Sequence, residues 1–397
     1  MRQLLYKEKK GMKKRIISTL LLIAMVFQVN FSMGQKSVLK AESLESTDSS
    51  ETTETVENEG KEIIEAENIT IDGHQYKYVK YVINKTKNTI CVTSMKTREN
   101  QLIIPAKING IPVVEIAAEN SNYTLRPWNI DETQVLDKVI VSEGIKIIKG
   151  YGFLNLKAKY VEVPKSLTWL GEDSFSECFY CAEIEHVKLK GKGTAIGVCA
   201  FQYSKVKKIT LPSKYKGRIY SSAFKKSDIE EFKWPSGNGS IKVEDGTFSN
   251  CKKLRKVVFP KNQKHIKISL GSFYGCSKLK KLTFPASTKK VTYLWTPHAD
   301  NYKKSVNVLE FKGKNTRVVG IKNRKKKNVL TVGKIVAPKN SKALKYAKKA
   351  KRVKYLSKWT KKEIEGDASY ITDFVSGDYH ENSIKYAKMK YSVLKKK

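Results

Sequence analysis

Residues 246–260 (GTFSNCKKLRKVVFP) and 271–285 (GSFYGCSKLKKLTFP) align without a gap, one 25 residues behind the other. Self-similarity at a fixed step of about 20 to 50 residues dictates a stack of like units. A unit this short cannot bury its own apolar side chains, so each one needs a neighbour on either side.

Extended along the chain, the pattern places a phenylalanine at Phe153, Phe175, Phe201, Phe224, Phe248 and Phe273. Each follows a small residue: Gly152, Ser174, Ala200, Ala223, Thr247 and Ser272. Eleven or twelve residues later a short apolar segment usually ends in proline, at Pro164, Pro212, Pro235, Pro260 and Pro285. The copy at Phe175 departs, with three extra residues around Cys181 and Lys190 in place of proline.

Inside the copies, apolar residues stand at spacing three then two: Val206-Ile209-Leu211, Ile229-Phe232-Trp234, Leu254-Val257-Phe259 and Leu279-Leu282-Phe284. This is the L-x-x-L-x-L core of a leucine-rich repeat, whose last two side chains point inward from one strand while the residue between them faces out. Looser copies end at Ile104, Val141, Val163, Leu189, Phe311 and Ala337, which makes about ten units. Strands stacked about 4.8 Å apart bury a continuous ladder and predict a curved, strand-rich rod. Proline directly after a strand stops the pairing, because it has no N–H to give. A second apolar pair ahead of the phenylalanine, as in Ile241-Val243, Ile266-Ile268 and Val291-Tyr293, predicts another short strand that closes the coil.

The small-Phe-x-x-Cys/Ser pattern, the L-x-x-V-x-F-Pro strand and the opening LIIPAKINGIPVVEI (102–116) resemble the BspA-type leucine-rich repeat proteins exported by bacteria, over about residues 68–356. The resemblance implies surface display and binding of host or neighbouring-cell components. It also implies a β-rich N-terminal cap, similar here to GHQYKYVKYVINKTKNTICVTSM (73–95), and a helical C-terminal cap, similar to NSKALKYAKKAKRVKYL (340–356). A weaker echo, NSIKYAKMKYSVL (382–394), reads as another helical cap or a tail. Residues 117–134 interrupt the first repeats, and 286–334 lose the phenylalanine motif.

Charge divides the chain further. It carries 77 Lys and Arg against 38 Asp and Glu, a formal net charge of +39. The N-terminus sets Lys7, Lys9, Lys10, Lys13, Lys14 and Arg15 before the apolar run Ile16 to Phe27, the order of a secretory signal peptide and too short to span a bilayer. Cleavage is expected after Gly34 or Ala41. Residues 42–67 hold ten acids, one base and no aromatic residue, and cannot bury enough surface to offset ordering entropy. The expected organisation is a signal peptide at 1–41, an acidic disordered spacer at 42–67, a β-rich N-terminal cap at 68–100, a leucine-rich repeat solenoid at 101–338, a helical C-terminal cap at 339–359, and a basic tail or second cap at 360–397. Such a chain is secreted, with any surface retention non-covalent.

The chemistry-bearing residues read mainly as structure. Cys178, Cys251 and Cys276 are placed three after a phenylalanine, where Ser204 and Ser227 stand in other copies, and interchange with serine argues for buried thiols over a Cys251–Cys276 disulfide. Cys178 and Cys181 have CxxC spacing without a second ligand pair. His74, His186, His265, His298 and His380 fall in no catalytic or metal-binding pattern, and no phosphate loop follows a strand. The reading is a non-enzymatic protein with no cofactor and no metal. A rival reading puts an extracellular enzyme's site in the inserted segment with Trp128 and Asp131. Another makes the array an architectural spacer.

Lys207, Lys208, Arg255, Lys256, Lys280 and Lys281 recur at five and four residues before the proline, with Glu230 and Glu231 in the intervening copy. Stacked, they predict a basic stripe that repels itself by a few tenths to about 1 kcal/mol per pair and that a polyanion would relieve. Arg324 to Lys327, in a loop, and Lys348 to Arg352, on one face of the terminal helix, add basic patches. The expected partners are a host or neighbouring-cell protein or glycan and an anionic wall polymer such as teichoic acid. No nucleic-acid-binding motif is present, which excludes sequence-specific recognition from this reading.

Overall fold

The computed structural model describes residues 57–58, 60–118, 127–172, 178–236, 240–294, 306–322, 328–330, 332–355 and 385–394. The export segment, most of the acidic segment, Phe175, Arg324 to Lys327 and residues 356–384 lie outside them. The chain divides into two compact units, Met1–Glu51 and Thr52–Lys397, and the described residues belong to the second.

One strand from each repeat joins a long parallel sheet. It runs Gln101–Ile104, Leu136–Val141, Lys157–Val163, Glu183–Leu189, Lys208–Thr210, Glu231–Lys233, Lys256–Val258, Lys281–Phe284, Val308–Phe311 and Lys334–Ala337, in chain order. These are the ten units expected from the apolar spacing. The register advances one repeat per strand, so that Leu102, Val139, Val161, Val187 and Ile209 form one buried row. A four-stranded parallel sheet, Ser240–Val243, His265–Ser269, Lys290–Leu294 and Arg317–Val319, supplies the second strand of the later repeats. The chain is thus a β-solenoid.

Aromatic rings stack through the middle of the coil. Phe179, Phe201, Phe224, Phe248 and Phe273 follow one another at centroid separations of 4.6, 5.1, 5.3 and 5.5 Å with planes within 9°. That spacing is close to the separation of neighbouring strands, so each ring lies over the ring one repeat back. The ladder corrects the reading of one copy. Phe179 occupies the position, the expected Phe175 lying outside the described residues, and Cys178 is the small residue before Phe179: Phe153 N–H donates to Cys178 O at 2.7 Å, just as Phe201 N–H donates to Ala223 O. Ala182 therefore stands where Ser204, Ser227, Cys251 and Cys276 stand in later copies.

The sharp turns on either side of each ring need left-handed backbone. Two residues before the ring, Tyr151, Cys199, Ser222 and Gly246 have φ between 55° and 61°; two after it, Asn155, Cys181, Tyr203, Lys226, Asn250 and Gly275 have φ between 53° and 75°. Cys181 is thus a turn residue of the repeat, not part of an insertion. At Gly275 a Cβ would meet Asn250 Oδ1 at 2.1 Å, so glycine there also makes room for the turn below.

Both ends depart from expectation. At the N-terminal end the antiparallel strands Glu57–Asn58, Lys61–Ile71, His74–Asn84 and Thr89–Lys96 form the cap, so strand begins at Glu57, inside the segment expected as disordered spacer. Its acids face bases across the pair: Glu67 lies 3.3 Å from Lys77, Glu62 lies 3.5 Å from Lys85, and Glu65 contacts Lys80. Segment composition hid this, because the partners come from the next strand.

At the C-terminal end the helix is Lys342–Lys349, capped by Ser341 Oγ, which accepts from Leu344 N, and buried through Ala343, Leu344 and Ala347. Helix was expected to residue 356, but the backbone turns extended at Ala350 and Lys351–Tyr355 is a strand. The alternation Arg352-Val353-Lys354-Tyr355 has strand period. Lys351 and Arg352 therefore do not continue the helix face that carries Lys348 and Lys349. The echo at 382–394 is not a helix in its described part: Lys385–Lys388 and Lys390–Val393 are strands, and the second pairs in parallel with Lys334–Ala337 as the eleventh strand of the long sheet. The last repeat would otherwise present an open row of backbone donors and acceptors, and this strand covers it.

Candidate functional site

The expected basic stripe lies on the outside of the long sheet, and the structure interleaves it with acid. Going up the stack at one register position, Asp137, Lys159, Glu185, Lys207, Glu230 and Arg255 alternate in sign. The pairs Lys159–Asp137, Lys207–Glu185 and Arg255–Glu230 close at 2.6, 3.1 and 3.7 Å. Two residues earlier, Lys205–Glu183 and Lys253–Asp228 repeat the arrangement at 2.9 and 2.7 Å.

In the outward row on the strands, Glu231 stands between Lys208 and Lys256 in register and approaches Lys256 at 3.3 Å. Lys281 pairs with Glu310 at 2.9 Å, and Lys280 Nζ donates to Ser277 O at 2.9 Å. All six stripe residues are exposed, but four of them meet a carboxylate. Reading the bases at one repeat position missed this, because the neutralising acids sit at the same position one copy away.

The candidate enzymatic residues are structural. Trp128 is fully buried and packs against Phe153 at 5.2 Å with the rings inclined at 59°, 25 residues before it, so the inserted segment supplies a ring to the end of the ladder. Asn129, also buried, accepts from Lys157 N and donates to Lys157 O, tying the two repeats together. Asp131 accepts from Thr133 Oγ1, Thr133 N and Gln134 N, and those bonds hold its carboxyl below the usual range.

The thiols of Cys251 and Cys276 donate to Phe224 O at 2.8 Å and Phe248 O at 2.9 Å, each reaching back one repeat. Burial pushes the Cys276 and Cys178 thiols up, away from the reactive thiolate. His186 packs edge-on to Tyr160 at 5.1 Å and shares a 2.8 Å hydrogen bond with Thr210; burial, then Lys208 and Lys188, lower its pKa. Among the described residues there is no group of His, Cys, Asp and Glu that could hold a metal ion, and no helix is long and apolar enough to cross a membrane.

Residues 129–294 match the family described as BspA type leucine-rich repeat region, in six copies across two overlapping stretches, 129–242 and 176–294. That stretch is the one whose rings and strands stack in register above. The repeats of 129–294 are of the BspA-type leucine-rich repeat family. Solved structures similar to this chain include bacterial repeat proteins. A leucine-rich repeat protein from Bacteroides ovatus is 17% identical, with 65% of this chain and 69% of that one covered and a TM-score of 0.35. A leucine rich cell surface protein from Faecalibacterium prausnitzii is 15% identical, covering 73% and 94%, with a TM-score of 0.20. The T. pallidum leucine rich repeat protein is 15% identical, covering 61% and 78%, with a TM-score of 0.19. These are distant likenesses, and the fold rests on the strand register. No curated protein matches the sequence. BspA-type arrays present extended surfaces for interaction, and the family is generally non-enzymatic.

Proposed function

We propose that this chain is an exported, non-enzymatic binding protein whose repeat surface engages a protein or glycan on host or neighbouring cells, and whose excess positive charge holds an anionic polymer. The observation that carries this reading is a regular BspA-type array, behind an export-like N-terminus, in which the buried candidate residues are all consumed by packing. Trp128, Cys178, Cys251 and Cys276 hold repeats together and present nothing to a substrate. A stack of repeats offers a wide exposed face, the geometry suited to large partners.

Secretion followed by saturable binding is the test. The tagged protein should appear in the medium or on the cell surface and be depleted from solution by cell walls, host matrix or mucus at a fixed capacity. Retention in the cytoplasm would overturn export; the lack of any saturable partner would leave an architectural spacer as the better reading.

A further inference from the structure

The positive charge is not compensated evenly along the stack. From Leu136 to Asp245 the sequence holds 19 Lys and Arg against 13 acids; from Gly246 to Lys362 it holds 34 against two, Asp300 and Glu310. In the earlier repeats Lys159, Lys205 and Lys207 each meet a carboxylate one repeat away. In the later ones the acids run out.

Five of these bases fall on or at the edge of the four-stranded sheet. Its register places Ser240, His265, Lys290 and Arg317 in one outward row and Lys242, Lys267, Thr292 and Val319 in the next. Ile241, Val243, Ile266, Ile268, Val291 and Val318 turn inward and are buried, which fixes the direction of both rows. Lys264 and Lys289 lead into the strands, with Lys289 N–H bonded to Lys264 O at 2.8 Å and Arg317 N–H to Lys289 O at 2.8 Å. Lys264, Lys267, Lys289, Lys290 and Arg317 are all exposed. Among the described residues, none of these five has a carboxylate within ion-pair distance; on this sheet only Lys242 does, with Glu244 at 3.1 Å. Like charges on neighbouring strands destabilise a sheet, so the array tolerates a cost here that the earlier strands of the long sheet avoid by alternating acid and base.

We propose that the outward face of this four-stranded sheet, and not the long-sheet stripe, docks a linear polysaccharide carrying sulfate or carboxylate groups on successive sugars. The rows cross the strands, so Lys264 and Lys289, and Lys290 and Arg317, stand as neighbouring cations one strand spacing of about 4.8 Å apart and suit an extended chain with closely repeated anions. Arg317 adds a planar fork able to hold one anionic group through two N–H donors. Single-stranded nucleic acid is disfavoured, since its grooves add aromatic stacking platforms and the outward described residues here offer none beyond an imidazole. Binding releases counterions, so affinity should fall steeply with salt.

This rests on reading the chain as a holder of anionic polymer, and the experiment separates the two. The full chain is applied to immobilised heparin over a salt series, beside two exposed-residue variants whose folding is checked by circular dichroism and melting. One variant is Lys264→Gln/Lys267→Gln/Lys289→Gln/Lys290→Gln/Arg317→Gln; the other is Lys207→Gln/Lys208→Gln/Arg255→Gln/Lys256→Gln. The first should lose at least tenfold in affinity at fixed salt, with the slope of log affinity on log salt falling by about one per contacting cation removed. The second should bind within about twofold of the parent. Heparin binding that follows the second set, or both equally, overturns the assignment of the face and leaves the polymer reading standing. A parent chain that does not bind heparin overturns both. Tighter binding to duplex DNA or to poly(glycerol phosphate) than to heparin at matched salt overturns the polysaccharide.

Discussion

Lys207 points back one repeat, its Nζ 3.1 Å from a carboxylate oxygen of Glu185, although the two lie 22 residues apart in sequence. The contact exists because parallel strands one repeat apart hold equivalent positions side by side. What looks in one copy like an unopposed base is half of a pair in two.

That pairing sets how much free positive charge the long sheet offers a polyanion. Glu185→Gln/Glu230→Gln/Glu231→Gln should expose Lys207, Arg255 and Lys256 and raise the salt needed to elute the protein from heparin. Each surface pair contributes less than about 1 kcal/mol, so the melting temperature should move by no more than a few degrees. An unchanged elution point would mean that those carboxylates do not mask the lysines.

Phe224 lies between Phe201 and Phe248 at 5.1 and 5.3 Å and is fully buried. Phe224→Ala should cost about 3–5 kcal/mol, measured by denaturant unfolding. Hydrogen exchange should rise most in the repeats on either side, since each unit is stabilised by its neighbours. A loss under about 1 kcal/mol would contradict the ladder.

Glu244 accepts from Arg218 Nε at 2.8 Å and from Lys242 Nζ at 3.1 Å. Burial raises its pKa, but the hydrogen bonds and charges of Arg218 and Lys242 together outweigh it, so the carboxyl sits below its ordinary 4.5. A depressed carboxylate stabilises the fold above the unfolded value and loses that contribution as pH falls from about 4.5 through the folded value. Glu244→Gln should cost about 1.5–3 kcal/mol at neutral pH and flatten the acid side of the stability curve. A variant whose acid limb is as steep as the parent's would assign the dependence elsewhere.

Cys251 should be replaceable. Ser227 and Ser204 occupy the same position in earlier copies, and Ser204 Oγ there donates to Phe201 O of its own repeat, so a serine at 251 has a carbonyl to bond either in its own repeat or at Phe224 O, which the thiol now uses. Cys251→Ser is expected to melt within a few degrees of the parent. In the native protein Cys276 and Cys178, pushed up by burial, and Cys91, pushed up to about 12, should react with a thiol reagent at pH 8 only as the chain unfolds. Labelling of those three at the rate of a free thiol would refute their burial.

Much of this fold was legible because a repeat states its rule several times over. The ten strand ends were readable from spacing alone, and so was the burial of the rings. One copy misled: Phe175 follows a small residue and precedes Cys178 by three, a better local match than Phe179, and the difference appears only when Phe179 is found 4.6 Å from Phe201. Trp128 was read as an interruption for the related reason that an indole replaces the expected phenylalanine.

The sequence by itself determined that units of about 25 residues stack, which side chains go inside, and that the chain carries a large positive charge. Only the tertiary structure decided where that charge is felt. Neutralisation depends on which residues share a row across strands. Lys207 finds Glu185 and Arg255 finds Glu230, whereas the described neighbours of Lys264, Lys289 and Lys290 include no carboxylate partner. Coulomb attraction is set by distances of a few ångströms in space, and 22 to 29 residues of chain separate partners that the coil brings together.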